Sequence, residues 1–147
     1  MTRPTNLTEP THRGTVYPWH CDHMGHMNVM WYVAKFDEAT WNLFAQVGIT
    51  PAYLRDAGCG MVAVDQHLTY ERELLAGDVV SVHSEVLDVR PKVIVVRHVM
   101  TGGATGDVAA TTTITGVHLD RSTRRSCLLP DDILGRARSS MRPQPPA

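Results

Sequence analysis

The chain has 147 residues, 43% of them hydrophobic, which is enough for one core and favours a single domain over two. A formal charge of -1 and a pI near 6.7 exclude the strongly basic surface that binds nucleic acid or an anionic membrane. Three cysteines without a CxxC spacing favour reduced thiols in a cytoplasmic protein over a disulfide scaffold, and no apolar run is long enough to span a membrane.

The first residues predict a disordered lead followed by a strand. Residues 1–12 are polar, contain two prolines and offer nothing to bury. Residues 14–19 alternate in the manner of a strand, with Pro18 marking an edge or an end. We therefore expect a domain over residues 13–138 and a flexible tail over residues 139–147.

The next segment concentrates side chains that can transfer protons or bind metal. These are His20, Cys21, Asp22, His23 and His26. Imidazole, thiolate and carboxylate are the ligands that zinc prefers. However, no HExxH, no CxxC and no remote His/Cys pair completes a zinc site, so the sequence favours a site without metal.

A long helix follows directly, over residues 29–47. This run contains no Gly or Pro, and Gly48 stands where a left-handed cap is expected. Asn28 is a favoured N-cap residue whose side chain can accept from the amide of Met30 or Trp31. The remaining first-turn amides and the positive end of the helix dipole would then favour negative charge on a ligand.

The helix is predicted to be buried on most of its circumference. At 100° per residue its polar side chains form one narrow stripe, namely Lys35, Glu38, Asn42 and Gln46. Asp37 points away from that stripe, among apolar residues that include Val33 and Trp41. A carboxylate there needs a partner, so Asp37 is either a second carboxylate of a pocket or a group bonded to backbone amides or to an arginine across an interface.

The remaining chain predicts a short helix and then an antiparallel sheet. Thr50, Pro51 and Gly58 have the order of an N-cap, a first helical residue and a C-terminal stop. Strands are predicted over residues 61–71, 78–89, 92–101 and 108–119, with a short strand over 124–128 and a helical turn from Pro130. The fold class is α+β, in which an antiparallel sheet of about five strands wraps one long apolar helix. A second copy would cover the remaining face, giving a homodimer.

The motifs resemble a known family. The residues concerned are Val16, His20-Cys21-Asp22, Gly25-His26, Asn28, Tyr32, Phe36-Asp37-Glu38-Ala39 and Gly48-Ile49. Together they resemble the opening signature of the hotdog-fold acyl-CoA thioesterases, the 4-hydroxybenzoyl-CoA thioesterase-like group. The similarity runs over residues 14–133, through Gly77-Asp78 to Pro130.

This resemblance implies an activity and a site. It implies hydrolysis of a coenzyme A thioester to free acid and CoA, without metal or cofactor, by a homodimer or homotetramer with sites at the subunit interface. Asp22 would be nucleophile or general base, and the Val29 backbone amide would polarise the thioester carbonyl. His26 would hydrogen-bond the thioester or orient Asp22. The substrate-binding residues would be Gly25, Asn28 and Tyr32.

Other interpretations of the same residues remain open. Asp22 can simply cap a helix or shape a turn. A hotdog enoyl-CoA hydratase would also use Asp and His, but with four residues between them and an Asn-Pro pair that this chain lacks. A non-catalytic acyl-thioester-binding module would not need Asp22. The basic residues Arg90, Lys92, Arg121, Arg124 and Arg125 either contact the phosphates of coenzyme A or are solvated turn charges.

Overall fold

The computed structural model describes residues 9–141. In chain order the elements are β1 (His12–Thr15), a 3-10 helix (Pro18–His20), α1 (Val29–Gln46), α2 (Pro51–Ala57), β2 (Cys59–Tyr70), β3 (Val79–Arg90), β4 (Val93–Gly102), β5 (Asp107–Asp120), β6 (Arg125–Ser126) and α3 (Asp131–Ser139). The strands form one antiparallel sheet in the order β1-β3-β4-β5-β2, with β6 paired to the end of β5.

Helix α1 begins and ends close to its predicted limits. The Asn28 side chain accepts from the Met30 amide at 3.1 Å, as an N-cap should. Gly48 has φ +97°, the left-handed conformation that ends a helix, and a Cβ at this position would lie 2.8 Å from the Arg136 guanidinium. The signals for α2 are also confirmed, because the Thr50 side chain caps it and Gly58 is left-handed.

The sheet contains one crossover, although consecutive strands were expected to be neighbours throughout. Strands β3, β4 and β5 are consecutive antiparallel neighbours, as expected. Strand β2, however, pairs with β5 at the far edge and does not touch β3. The connection over residues 71–78 carries the chain across, and the Leu74 carbonyl in it accepts from the Met27 amide at 2.8 Å. The crossover therefore fixes the segment that precedes α1.

One face of α1 packs against the sheet in two apolar clusters. The cluster around its N-terminal half includes Tyr32, Phe36 and Ala39, together with side chains from β3, β4 and β5. The cluster around its C-terminal half includes Leu43 and Phe44, together with side chains from β3, β4, β5 and α3. Burial of these side chains supplies the main stabilising term.

The polar and apolar sides of α1 are not arranged as predicted. Lys35, which was placed in the solvent-facing stripe, is only 8% exposed, and its Nζ donates to the Thr15 carbonyl at 3.5 Å. Asp37 is exposed instead, beside Val33 and Trp41, which are 41% and 39% exposed. The prediction was wrong because β1 covers Lys35, whereas the Asp37 face lies away from the sheet of its own chain.

Both ends of the domain extend beyond the predicted limits. Thr11 is buried and its amide donates to the Val82 carbonyl at 2.8 Å, so residues 11–12 of the expected lead belong to the sheet. Strand β1 then ends at Thr15, because Pro18 opens a 3-10 helix where a strand was expected. At the other end, a helical turn was expected from Pro130, and the helix α3 that forms there continues to Ser139. The rest of the expected lead and tail, residues 1–8 and 142–147, lies outside the described residues.

A polar chain crosses the core between α1 and the sheet. Thr40 donates to the Phe36 carbonyl at 2.9 Å and therefore accepts from Nε2 of the buried His98 at 2.8 Å. His98 Nδ1 then accepts from Ser84, which is linked to Thr11 at 2.6 Å. Burial lowers the pKa of His98 to about 4, so the ring is neutral near pH 7.

An antiparallel sheet that curls round one central helix is the hotdog arrangement, so the predicted fold class is confirmed. Within residues 9–141 no helix combines the length and apolar character needed to cross a membrane. None of the three cysteines is in a disulfide.

Candidate active site

The loop before α1 is a closed turn that holds Asp22 at its start. Cys21 and Met27 form an antiparallel bridge, and the Asp22 amide donates to the His26 carbonyl at 3.1 Å. The chain reverses at Gly25, whose φ of +83° favours glycine. Met27 is 1% exposed and anchors the loop in the core. The loop is therefore rigidly placed although its tip is exposed.

The Asp22 carboxylate receives two hydrogen bonds. Its Oδ1 accepts from the Met24 amide at 2.9 Å, and its Oδ2 accepts from Asn28 Nδ2 at 2.7 Å. These bonds, the Asn28 bond foremost, hold the pKa of Asp22 below its ordinary value. Asp22 is therefore a charged, oriented carboxylate at neutral pH.

Asn28 joins that carboxylate to the helix. Its side-chain NH₂ donates to Asp22, while its side-chain oxygen accepts from the Met30 amide. The Val29 amide has no acceptor within residues 9–141. It lies at the positive end of the α1 dipole, where negative charge on a bound group is favoured. Asn28 is thus bonded to the carboxylate through its side chain and is followed in the chain by an unpaired backbone donor.

His26 is oriented differently from Asp22. Its Nδ1 lies 3.3 Å from the Met27 carbonyl oxygen, and its Nε2 lies 4.0 Å from Glu73 on the crossover connection. The hydrogen bonds that orient Asp22 come from Met24 and Asn28, and sequence reasoning had named Asn28 only as a cap and a substrate contact. This bond could have been inferred from the sequence. An asparagine that caps a helix with its oxygen still has an NH₂ group, which can donate to a preceding carboxylate such as Asp22.

The other predicted residues occupy distinct positions. Tyr32 is 3% exposed, its hydroxyl donates to the Arg72 carbonyl at 3.2 Å, and burial raises its pKa. Its ring packs edge-on against Tyr70 with 5.1 Å between centroids. Tyr32 therefore supports the crossover connection through its hydrogen bond to Arg72. Asp37, the second candidate carboxylate, lies on the exposed face of α1 rather than in the loop.

An aromatic surface borders the loop, although these residues suggest only a strand when the sequence is considered alone. Tyr17 and Trp19 stack with 4.5 Å between ring centroids and an 8° interplanar angle. His20 accepts from the Tyr17 amide at 3.0 Å and packs on Trp31. Trp19 is 67% exposed. This surface is suited to contact with a flat or apolar ligand group.

The histidines of the loop do not converge on a common point. His20 is bonded to Tyr17 and His26 faces Glu73. In the described part of the chain, a group of three His, Cys or acidic side chains close enough to share a metal occurs elsewhere, at Cys59, His118 and Cys127.

The basic residues considered for coenzyme A phosphates are remote from the loop. Arg90 pairs with Asp88 at 3.2 Å, and the other four are exposed. All five lie at the end of β3 or between β5 and the start of β6, whereas the Asp22 loop lies where β3 begins.

Comparison with known protein families identifies the superfamily of this chain. The family model described as the thioesterase-like superfamily matches residues 16–137. The chain belongs to this superfamily, and its class of reaction is thioester hydrolysis.

Solved structures show the same fold at low identity. The hypothetical protein SAV2348 from Staphylococcus aureus, solved in complex with CoA, is 22% identical with a TM-score of 0.83, covering 92% of this chain and 87% of that one. YbaW, a probable thioesterase from Escherichia coli, is 20% identical with a TM-score of 0.74 over 89% and 98%. BH1999 gentisyl-coenzyme A thioesterase is 19% identical with a TM-score of 0.76 over 86% and 98%. A search of curated protein sequences finds no match.

Proposed function

We propose that this protein hydrolyses an acyl-coenzyme A, adding water across the thioester bond to release the free acid and CoA. The observation that carries the proposal is that Asn28 holds the ionised Asp22 carboxylate at the start of α1, where the next residue, Val29, has an unpaired backbone amide. Thioester hydrolysis needs both a group that attacks or activates water and a donor for the carbonyl oxygen.

Asp22 has two possible roles in this reaction, and both need its ionised form. As a nucleophile, its carboxylate oxygen attacks the thioester carbon and the CoA thiolate leaves; water then hydrolyses the acyl–aspartyl anhydride, which releases the acid and restores Asp22. As a general base, it removes a proton from the attacking water. In either case the carbonyl oxygen becomes negative, and the Val29 amide with the α1 dipole stabilises that charge.

The remaining loop residues support these two groups. Asn28 positions Asp22, Gly25 allows the turn, and Tyr32 supports the connection that faces the loop. We assign His26 as a donor to the bound thioester from the loop's outer side. Loss of one such hydrogen bond in His26→Phe, which keeps a ring but has no donor, should lower kcat/KM about tenfold, or ~1.4 kcal/mol.

We also propose that the working form is a homodimer or a tetramer built from it. The exposed face of α1 carries Met30, Val33 and Trp41, and the edge strand β2 exposes Val62 and Val64. An apolar helix face and a strand at the edge of the sheet are both suited to contact with a second copy. Light scattering at micromolar concentration should give about twice the 16.3 kDa chain mass, or a larger even multiple. A fully active monomer would contradict a site at the subunit interface.

No cofactor or catalytic metal enters the proposal, and a cytoplasmic location fits the three free thiols. The test is a panel of acyl-CoAs of varied chain length and charge, with released CoA measured by a thiol reagent, before and after treatment with chelator. Thiol release in both samples supports metal-free hydrolysis. Hydration of an enoyl-CoA without thiol release would favour the hydratase, and binding without turnover would favour the acyl-binding module.

A further inference from the structure

Three soft metal-binding side chains meet at the end of the domain opposite the Asp22 loop. Cys59 is the first residue of β2, His118 lies near the end of β5, and Cys127 follows β6. Their sulfur and imidazole nitrogen atoms all lie within 4.8 Å of one another. No short motif contains them, because the pairing of β2 and β6 with β5 brings them together.

The geometry of this cluster is close to that of a metal site. His118 Nδ1 lies 3.3 Å from Cys127 Sγ. Tetrahedral zinc with bonds of ~2.1 Å to nitrogen and ~2.3 Å to sulfur separates those two ligands by roughly 3.6 Å. The backbone also fixes the pair, since the Cys127 amide donates to the His118 carbonyl at 2.9 Å. Only a small side-chain adjustment would bring the three atoms round one ion.

The second nitrogen of His118 already has a hydrogen-bond partner of its own. Tyr53 Oη lies 2.8 Å from His118 Nε2, and the two rings are stacked with an interplanar angle of 20°. In the metal-free ring, Nδ1 lies 3.0 Å from the Cys127 carbonyl oxygen and can donate its proton there. With metal on Nδ1, the ring proton is on Nε2 and is donated to Tyr53 Oη, an outer contact that orients the ligand.

We propose that Cys59, His118 and Cys127 bind one borderline-soft divalent cation, zinc in the first instance, as a structural site. Two thiolates and one imidazole supply three of four tetrahedral positions, and a water molecule supplies the fourth, because both cysteines are partly exposed. The site connects β2, β5 and the segment after β6, and through Tyr53 it also fixes α2.

This site is separate from the proposed chemistry. Tyr53 packs in the same cluster as Val47 and Ile49, at the C-terminal end of α1. The Asp22 loop is bonded to Asn28 at the N-terminal end. The 18 residues of α1 separate these ends by roughly 27 Å at ~1.5 Å per residue. Metal removal should therefore weaken the fold without abolishing turnover.

The experiment is a titration of the reduced, metal-free full chain with Co²⁺, followed by displacement with Zn²⁺. We expect one cobalt per chain, with thiolate-to-cobalt charge-transfer absorption and the intense d–d bands of a tetrahedral site. Cys59→Ser and Cys127→Ser should lose these bands. The matched control, Cys21→Ser, alters the cysteine outside the cluster and should keep them. Tyr53→Phe should retain the spectrum with affinity lowered about 10- to 100-fold.

A second measurement guards against variants that fail to fold. Zinc should raise the Tm of the wild-type chain and of Cys21→Ser, but not the Tm of folded Cys59→Ser or Cys127→Ser. The proposal is overturned if the reduced wild-type chain binds no cobalt at micromolar concentration, or if the bands survive in both serine variants. It is likewise overturned if purified protein contains a Cys59–Cys127 disulfide in place of metal.

Discussion

The two ends of α1 are built in opposite ways. At the N-terminal end, Asn28 and Asp22 form hydrogen bonds in a partly exposed loop, and the Val29 amide is left without an acceptor among the described residues. At the C-terminal end, Val47 and Ile49 are at most 1% exposed and pack with α2 and α3. One end leaves a backbone donor available, and the other encloses apolar side chains.

This difference separates the groups that act on substrate from those that hold the fold. The loop around Asp22 buries little apolar surface apart from Met27, so its polar residues contribute modestly to stability. The opposite end contributes mainly through burial, where removal of a large side chain leaves a cavity. Substitutions at the first end should change turnover, and substitutions at the second should change the free energy of unfolding.

The largest effect is expected for Asp22→Asn. The change keeps the size of the side chain but removes its negative charge and basicity, so kcat should fall about 10²- to 10⁴-fold, or roughly 3 to 5.5 kcal/mol. The free energy of unfolding should change little, because Asn still forms turn hydrogen bonds. Steady-state hydrolysis and urea unfolding of the same samples test both statements.

The control for this variant is Asp56→Asn, which removes an exposed carboxylate from α2 at the other end of α1. It should hydrolyse acyl-CoA at the parental rate. If Asp22→Asn is within threefold of the parent, Asp22 is not the catalytic group, and Asp37 becomes the carboxylate to test.

At the other end of α1, Phe44→Ala should show the reverse behaviour. Phe44 is 4% exposed, and its ring lies against Gly116, where a Cβ would approach it to 3.5 Å. Removal of the ring should cost about 3 to 5 kcal/mol of unfolding free energy, with kcat preserved in the folded fraction. Phe44→Leu, which retains more volume, should cost less. Equal losses in both variants would show that the site is not tightly packed.

The polar chain through His98 should contribute to stability in a pH-dependent way. Its pKa is about 4 in the folded chain and 6.5 as the ordinary value, so between these values the unfolded state binds more protons. Stability is therefore complete above about pH 6.5 and falls as the pH drops towards 4, by on the order of 3 kcal/mol.

Urea unfolding at several pH values measures this slope. The slope should flatten in His98→Gln and remain in His83→Gln. His83 lies on the partly exposed face of β3, opposite the buried face that carries Ser84, the partner of His98. An unchanged slope in His98→Gln would assign the pH dependence to other groups.

The smallest effect is expected for Asn28→Ser. Serine retains the N-cap, so the unfolding free energy should change by only a few tenths of a kcal/mol. The donor to Asp22 Oδ2 is lost, so the pKa of Asp22 should rise towards its ordinary value. Because activity needs the carboxylate, the acidic limb of kcat/KM should move to higher pH. Asn28→Asp, which also caps but adds a charge, should move the limb further, and an immobile limb in both would exclude this role of Asn28.

Local signals in the sequence predicted much of this architecture. Asn28, Gly48, Thr50 and Gly58 mark helix ends through the conformation of a few adjacent residues, and the structure has them in those roles. The strand-rich second half was predicted in the same way from its residue types. These features depend on neighbours in the chain, so a single sequence contains the necessary information.

Features that depend on remote segments were not predictable from such signals. Lys35 and Asp37 are both polar residues of one helix, and only the position of β1 decides which one is covered. The meeting of Cys59 with Cys127 depends on β2 pairing with β5 rather than β3. The Asn28–Asp22 bond was only partly predictable. Its partners are near in sequence, but its geometry depends on how the loop is anchored to Leu74.

That anchoring has a consequence during synthesis on the ribosome. Thr11 bonds to Val82, 71 positions later, and the loop's Met27 bonds to Leu74. When α1 first emerges, neither partner has been made, so the bond that anchors Met27 is still missing. We expect the Asp22 loop to reach its final position only after Leu74 has left the exit tunnel, when more than half of the chain has been translated.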